Sequence, residues 1–382
     1  MTLLRCSDAA VRSDPYRCPG SSFPVTGRRY AGPVTGTDTT SLAADEGQQP
    51  ADAGLLERAL RGDDEAFRLL VAPHQRSLHV HCYRMLGSYT EAQDAVQDTL
   101  LRAWRSLATF QQRAPLHHWL YRISTTTCLK AIEARGRRPV TTGEVSYLQP
   151  YPDRLLDDLA GDTIDPAAVV ERRESVALAF ITALQRLPAT GRAALILCDV
   201  LSFTAKETAD LLETSVPAVT SALQRARGTI ARGPAGPAGP PSDPREQLLV
   251  RQFVHAWHSR DLAALAALLR EDAILAMPPE DSAIHGRDRI VEFFATVPAD
   301  GRLDLLPLVP TRANGHPAVA AYLAEPDGTR TGYGLMVLIT DGDQLAGITG
   351  FPGIADFERF GLPATVLPGT DLAGTGQPPY LA

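Results

Sequence analysis

Apolar residues recur at spacings of three and four from Leu55 to Phe110, and the breaks RGDD and GSYT cut this stretch into successive amphipathic helices. The pattern resumes in PLHHWLYRISTTTCLKAIEA, where Leu116, Trp119, Leu120, Ile123 and Thr127 share one face. GRRP after Ala134 ends that helix. Residues 140–170 lose the periodicity and turn acidic in PYPDRLLDD and GDTIDP, which reads as a linker. Helical spacing returns over 171–232 in four short runs, ERRESVALAFITALQRL, ATGRAALILCDVL, TAKETADLLE and VPAVTSALQRARGTI. Runs this short need tertiary support, expected from packing around Leu195, Val200, Phe203, Ala209, Leu212, Val219 and Leu223.

GPAGPAGPPSDP, residues 233–244, cannot pack as a helix and separates this all-helical sequence from a mixed one. Beyond it, REQLLVRQFVHAWHSR, DLAALAALL and GRDRIVEFFATV predict helices, with a strand near AILAM. Strand-like runs follow around LDLLPLVPTRA, PAVAAYLAE and GYGLMVLITDGDQLAGITGF, the last folded into a hairpin at DGDQ. The predicted organisation is a leader (1–50), a helical domain (51–139), a linker (140–170), a second helical domain (171–232), a Gly/Pro linker (233–244), an α+β domain (245–365) and a tail (366–382). Helices first and antiparallel strands after suggest a cone in the α+β domain, a curved sheet wrapping a helix.

Net charge is −7, so no global positive field advertises a nucleic-acid partner. Locally the balance changes. Residues 55–139 hold 13 Lys and Arg against 8 Asp and Glu, and residues 171–232 hold 8 against 6. The five cysteines are odd in number and widely spaced, which suits buried thiols in a reducing cytoplasm. No metal motif, signal peptide or membrane-length apolar run is present, so the expectation is a cytoplasmic protein without cofactor or membrane partner.

Within LCDVLSFTAKETADLLETSVPAVTSALQRARGTI, Thr204 and Glu207 form a capping box, and Thr214 or Ser215 can cap the next helix. Two helices joined by LLETS have helix-turn-helix spacing, with Pro217, Ala218, Thr220, Ser221, Gln224, Arg225 and Arg227 on the outer face of the second. Gln reads adenine edges, and Arg reads guanine or holds phosphate. A compact helical bundle without DNA would carry the same helix pair.

At these residues the chain resembles RNA polymerase sigma factors of the extracytoplasmic-function group that carry an added C-terminal SnoaL-like domain. HCYRMLGSYTEAQDAVQDTLLRAWRSLATF and WLYRISTTTCLKAIEARGRRP are similar to sigma region 2, and ALQRLPATGRAALILCDVLSFTAKETADLLETSVPAVTSALQRARGTI to region 4. The resemblance runs from residue 55 to about 365 and implies all-α region 2 and region 4 (helix-turn-helix) domains followed by an α+β SnoaL-like cone domain. It implies core RNA polymerase and promoter DNA as partners. Asp94, Asp98, Leu101 and Trp104 match the polymerase-binding surface. The segment from Phe110 to Trp119 matches the part that captures a flipped promoter base. Arg122, Lys130, Arg135, Arg137 and Arg138 match phosphate contacts, and Gln224, Arg225 and Arg227 lie on the recognition helix. The chain departs from the family pattern at Gln93, Thr126, Thr190, Gly191, Cys198 and Thr220, where polar or charged residues are usual, and FPGI stands where FLDP is expected. Such losses weaken the grip on nucleic acid while sparing the core.

Cones of this kind usually enclose an apolar cavity. Phe253, Trp257, Met277, Phe293, Phe294, Tyr322, Tyr333 and Met336 are the expected lining, with an apolar small molecule as candidate ligand. Asp272, His285 and His316 would supply acid–base chemistry if the domain were catalytic. Two readings therefore stand: a promoter-specific initiation factor whose C-terminal domain is an internal regulator, or a cyclase- or epoxide-opening-type enzyme on a sigma-derived scaffold.

Overall fold

The computed structural model describes residues 49–112, 114–136, 148–157, 175–230, 243–278, 283–354 and 356–367. Arg137, Arg138 and most of the leader, the tail and the Gly/Pro linker lie outside the described residues. The chain divides into residues 1–53 and a unit of residues 54–382, and apart from the first five residues of α1 the features below belong to the second.

Its first part is helical: α1 (Gln49–Leu60), α2 (Asp64–Val71), α3 (Gln75–Leu86), α4 (Tyr89–Ser106) and α5 (Leu116–Gly136). The breaks do what their residues dictate. Asp63 accepts the Ala66 amide at 3.0 Å to cap α2, Gly87 at φ 75° ends α3 in the left-handed region, and Ser88 caps α4 through the Glu91 amide. Leu78, Cys82, Met85, Leu86, Ala103, Leu120 and Cys128 are buried between α3, α4 and α5.

A short helix, α6 (Arg154–Asp157), lies in the linker segment 148–157. Then come α7 (Leu178–Gln185), α8 (Ala189–Leu195), a π-helical turn (Ile196–Val200), α9 (Ala205–Leu211) and α10 (Val216–Ile230). The sequence predicted one helix through residues 171–187, yet residues 175–177 form a turn and α7 begins at Leu178. The Thr204–Glu207 capping box is present in both directions, and Ser215 caps α10 through the Ala218 amide at 3.3 Å. Ile181, Leu184, Leu195, Val219 and Leu223 join the same apolar cluster as Leu78 and Leu120, so the two helical parts share one core.

Among the described residues, the third part has α11 (Pro244–His258), α12 (Leu262–Leu268) and α13 (Arg287–Thr296), with seven strands: β1 (Leu269–Ala276), β2 (Ala283–His285), β3 (Leu308–Ala313), β4 (His316–Ala324), β5 (Arg330–Asp341), β6 (Gln344–Pro352) and β7 (Thr365–Val366). The strand order is β2-β1-β6-β5-β4-β3, with β7 beside β5; β1 and β6 run parallel and all other pairs antiparallel. DGDQ makes the β5–β6 hairpin as predicted. The cone does not form. β2 and β3 end the sheet without meeting, so it is open and does not curl around a helix.

The reason is that, around β4 and β5, both faces of the sheet are apolar and covered. Along β4, Val319 and Ala321 pack with Phe253, Trp257, Leu265, Ile290 and Phe294 of the helices. The alternate residues Ala318, Ala320 and Tyr322 pack on the opposite face with Phe357, Phe360, Leu362 and Leu178 of α7. A sheet buried on two faces is a middle layer, which is why PAVAAYLA and GLMVLI read as continuous apolar runs.

Candidate functional site

On α4, the four- and three-residue spacing of Asp94, Asp98 and Leu101 sets them along one exposed stripe, and Leu101 is 54% exposed. Trp104 continues the stripe but is half-buried, its ring 5.0 Å from that of Phe67. An exposed leucine flanked by carboxylates beside a partly sunken indole is a surface suited to another protein.

Around the corner, Arg102, Ser106, Thr109, Trp119, Arg122, Ile123 and Thr126 line an open hollow of about 390 Å³. The Trp119 ring that lines it lies 5.1 Å from the ring of Phe110. Aromatic faces beside two guanidinium groups are what an unstacked base and its phosphate require. The helix-turn-helix part reaches this surface. Arg122 donates to the Glu213 carboxylate at 3.3 Å, and His118 lies 4.0 Å from that of Glu207, with its ring 4.4 Å from Phe203.

The remaining basic residues divide. Lys130 is exposed on α5. Arg135 turns inward, pairing with Glu91 and reaching the Leu86 carbonyl at 3.5 Å, and burial lowers its pKa. On α10, Gln224 and Arg225 are exposed together with Pro217, Ala218, Thr220 and Ser221. Arg227 is exposed too but donates twice to Asp199, at 2.8 and 2.6 Å, which raises its pKa. Cys198 is half-buried against the Thr208 hydroxyl at 3.2 Å, and burial raises its thiol pKa.

The candidates in the sheet domain do not converge. Asp272 on β1 is held by Arg270 at 2.9 and 2.7 Å, which lowers its pKa, and His285 is exposed on the neighbouring β2. His316 begins β4, three places away in the strand order, buried with its pKa pushed down to about 4. Phe253, Trp257 and Phe294 are packed in the helix-side core, with Phe293 and Met336 partly buried against it; Tyr322 sits on the opposite face. Met277 is half-buried and Tyr333 is 40% exposed. Among the described residues, no group of His, Cys, Asp or Glu is arranged to hold a metal ion.

The densest polar chemistry lies where the three parts meet. β3 and β4 are joined by Asn314-Gly315, both left-handed at φ 56° and 76°, a type I′ hairpin turn. The Asn314 side chain donates to the Tyr83 hydroxyl of α3 at 2.8 Å and to the Val176 carbonyl ahead of α7 at 2.7 Å. It also accepts the Tyr151 amide of the linker at 2.8 Å. Its backbone amide donates to the Tyr151 carbonyl, and Pro152 bridges Ala313 at the edge of the sheet. Beside the turn, buried Arg312 pairs with Asp153 of the linker at 3.3 Å and with Glu246 of α11, and donates to the Gly315 carbonyl. Tyr151 is buried among the rings of His79, Tyr83 and Tyr89, and the Arg359 guanidinium lies 4.4 Å over Tyr89. The sequence offered one overlooked signal here, the Asn-Gly pair between two apolar runs. Tyr151, Asp153, Glu246 and Arg312 carry no local signature, since their partners are distant in sequence.

Comparison with known proteins matches three family profiles along the chain. The profile of Sigma-70 region 2 matches residues 70–138, that of Sigma-70 region 4 residues 177–230, and that of a SnoaL-like domain residues 250–342. The ECF RNA polymerase sigma factor SigG of Mycobacterium tuberculosis is 38% identical over 370 residues, covering 89% of this chain and 95% of its own. The RNA polymerase sigma-H factor of Pseudomonas aeruginosa is 33% identical over 186 residues, covering 48% of this chain and 93% of its own. In fold, the crystal structure of the Mycobacterium tuberculosis extracytoplasmic function sigma factor SigJ is similar, with a TM-score of 0.52 at 21% identity, covering 75% of this chain and 96% of that one. With region 2 helices, a region 4 helix-turn-helix and a SnoaL-like sheet in one chain, and a relative alike over nearly its full length, the protein belongs to the ECF RNA polymerase sigma factors with a C-terminal SnoaL-like domain.

Proposed function

We propose that this chain directs promoter-specific transcription initiation and that its C-terminal domain is an internal regulator holding the sigma domains in a closed arrangement. Core RNA polymerase would bind the α4 stripe of Asp94, Asp98, Leu101 and Trp104. Opened promoter DNA would bind Phe110 and the hollow lined by Trp119 and Arg122, and an upstream element the outer face of α10 through Gln224 and Arg225. The observation that carries the regulatory part is Asn314, whose single side chain ties region 2, the linker and the approach to region 4 together. A domain so fastened opposes any state in which regions 2 and 4 part to reach separate DNA elements. Arg122 and His118, engaged by Glu213 and Glu207, belong to that closed arrangement. The enzyme reading has no comparable support, because Asp272, His285 and His316 do not come together and Phe253, Trp257, Phe294 and Tyr322, expected around one cavity, fill two cores.

The test is capture of core RNA polymerase by the full chain, followed by transcription from genomic fragments with wild type and Asn314→Gly. Binding of core enzyme with higher transcript yield from the variant is expected. No capture at micromolar concentration overturns the initiation-factor reading; capture with unchanged yield overturns the regulator.

A further inference from the structure

The hollow on region 2 has two walls. α5 contributes Trp119, Ile123 and Thr126, a stripe at four- and three-residue spacing, together with Arg122; the end of α4 and the turn after it contribute Arg102, Ser106 and Thr109. The three hydroxyls share a property that spacing does not display. Each faces a backbone carbonyl: Ser106 that of Arg102 at 2.7 Å, Thr109 that of Ser106 at 2.6 Å, and Thr126 that of Arg122 at 2.9 Å. A carbonyl can only accept, so each hydroxyl proton is committed to the protein's own backbone. Toward the hollow these side chains offer an oxygen lone pair or an apolar carbon, and no proton. The donors among the described lining side chains are the guanidinium groups of Arg102 and Arg122 and the Trp119 indole, and no carboxylate or side-chain amide stands among them.

We propose that Ser106, Thr109 and Thr126 make the hollow selective for a base that carries an exocyclic amino group (adenine, cytosine or guanine) over thymine. This rests on the reading of the hollow as the site of an opened promoter base. An amino group donates to a hydroxyl oxygen and leaves the hydroxyl's own bond in place. Thymine has a single ring N–H, flanked on both sides by carbonyl oxygens that meet these lone pairs unfavourably. A hydroxyl that turned to donate to one of them would give up its backbone carbonyl. The arginines do not make this distinction, because every base and every phosphate presents an acceptor. Stacking on Trp119 does not make it either, since every base has a π-face. Discrimination therefore falls to the hydroxyls, and one neutral hydrogen bond gives a preference of roughly fivefold.

The test titrates holoenzyme, made from the full chain and core RNA polymerase, with single strands of about 12 nucleotides. The strands consist of deoxyadenosine, of thymidine, or of deoxynebularine, which is deoxyadenosine without its amino group. Wild type is expected to bind deoxyadenosine strands about fivefold more tightly than deoxynebularine strands. Ser106→Ala/Thr109→Val/Thr126→Val is expected to bind the two alike and to narrow the preference for deoxyadenosine over thymidine by the same factor. The same ratios in wild type and the triple variant overturn the proposal. If the triple variant does not fold, Ser106→Ala/Thr109→Val and Thr126→Val are read separately, and a preference kept in full by both overturns it. Trp119→Leu separates this proposal from the reading beneath it. If that change weakens binding of every strand while wild type ignores the amino group, the hollow holds a base and amino-group selection fails. If binding does not respond to Trp119→Leu, or if the full chain adds no single-strand affinity to core enzyme, the hollow is not the DNA site and both fall.

Discussion

At the scale of single residues, Asn314 separates two roles that other positions mix. Its left-handed φ serves the hairpin, and its amide serves three neighbours in other parts of the chain. Asn314→Gly keeps the turn and removes three buried hydrogen bonds, for an expected loss of about 3 kcal/mol. Asn314→Ala adds the cost of a Cβ in the left-handed region, about 1 kcal/mol more. Urea unfolding of both variants checks the ordering; equal stability of wild type and Asn314→Gly would mean the amide contributes nothing. The buried histidines set the response to acid. Burial holds His79 and His316 down to about 4 and His81 to about 3, with the charges of Arg359, Arg312 and Arg84 acting in the same direction. Above their ordinary value of 6.5 these rings are neutral folded or unfolded. As pH falls from 6.5 toward 4, the unfolded chain takes up protons first, so stability falls by up to about 1.4 kcal/mol per pH unit per histidine. Glu246, with its pKa raised, has the opposite sign but is one group against three. A lower urea midpoint at pH 5 than at pH 7 is expected, and equal midpoints would contradict it.

Elements show how much a periodic pattern can say about a surface. α10 presents Thr220, Ser221, Gln224 and Arg225 outward as its spacing predicts, because Val219, Leu223 and Ala226 claim the inner face. Spacing does not say whether an outward arginine is already occupied. Arg225 projects from α10, whereas Arg227 is held twice by Asp199. Replacing Arg225 with Ala should therefore reduce promoter affinity and the steepness of its salt dependence. The same change at Arg227 gives up its pair as well, and a smaller effect on the salt slope is expected. Filter-binding of holoenzyme over a salt series decides this, and equal slopes for the two variants would remove the distinction. Arg135 behaves similarly on α5: the family resemblance implied a phosphate contact, while its side chain joins Glu91 and the end of α3. Arg135→Ala is expected to lower the thermal midpoint of the whole chain, an effect absent if the ion pair is incidental.

For the whole molecule, the sequence by itself determined the order and kind of its parts. Apolar spacing, the breaks at RGDD and GSYT, the cap at Thr204 and the DGDQ turn act within a few residues, and each is found where it was expected. The same local rules, strand content included, led to a closed cone, because alternation along a strand shows which side is apolar but not what covers it. Tertiary structure alone decided that both faces of the sheet are covered around β4 and β5, one by α11 to α13 and the other by Leu178, Phe357, Phe360 and Leu362, leaving an open middle layer. It alone turned an acidic, aperiodic linker into a docked segment. Tyr151 and Asp153 are buried by partners more than sixty residues away in sequence, and desolvation, charge pairing and ring packing depend on who the neighbours are rather than on spacing along the chain.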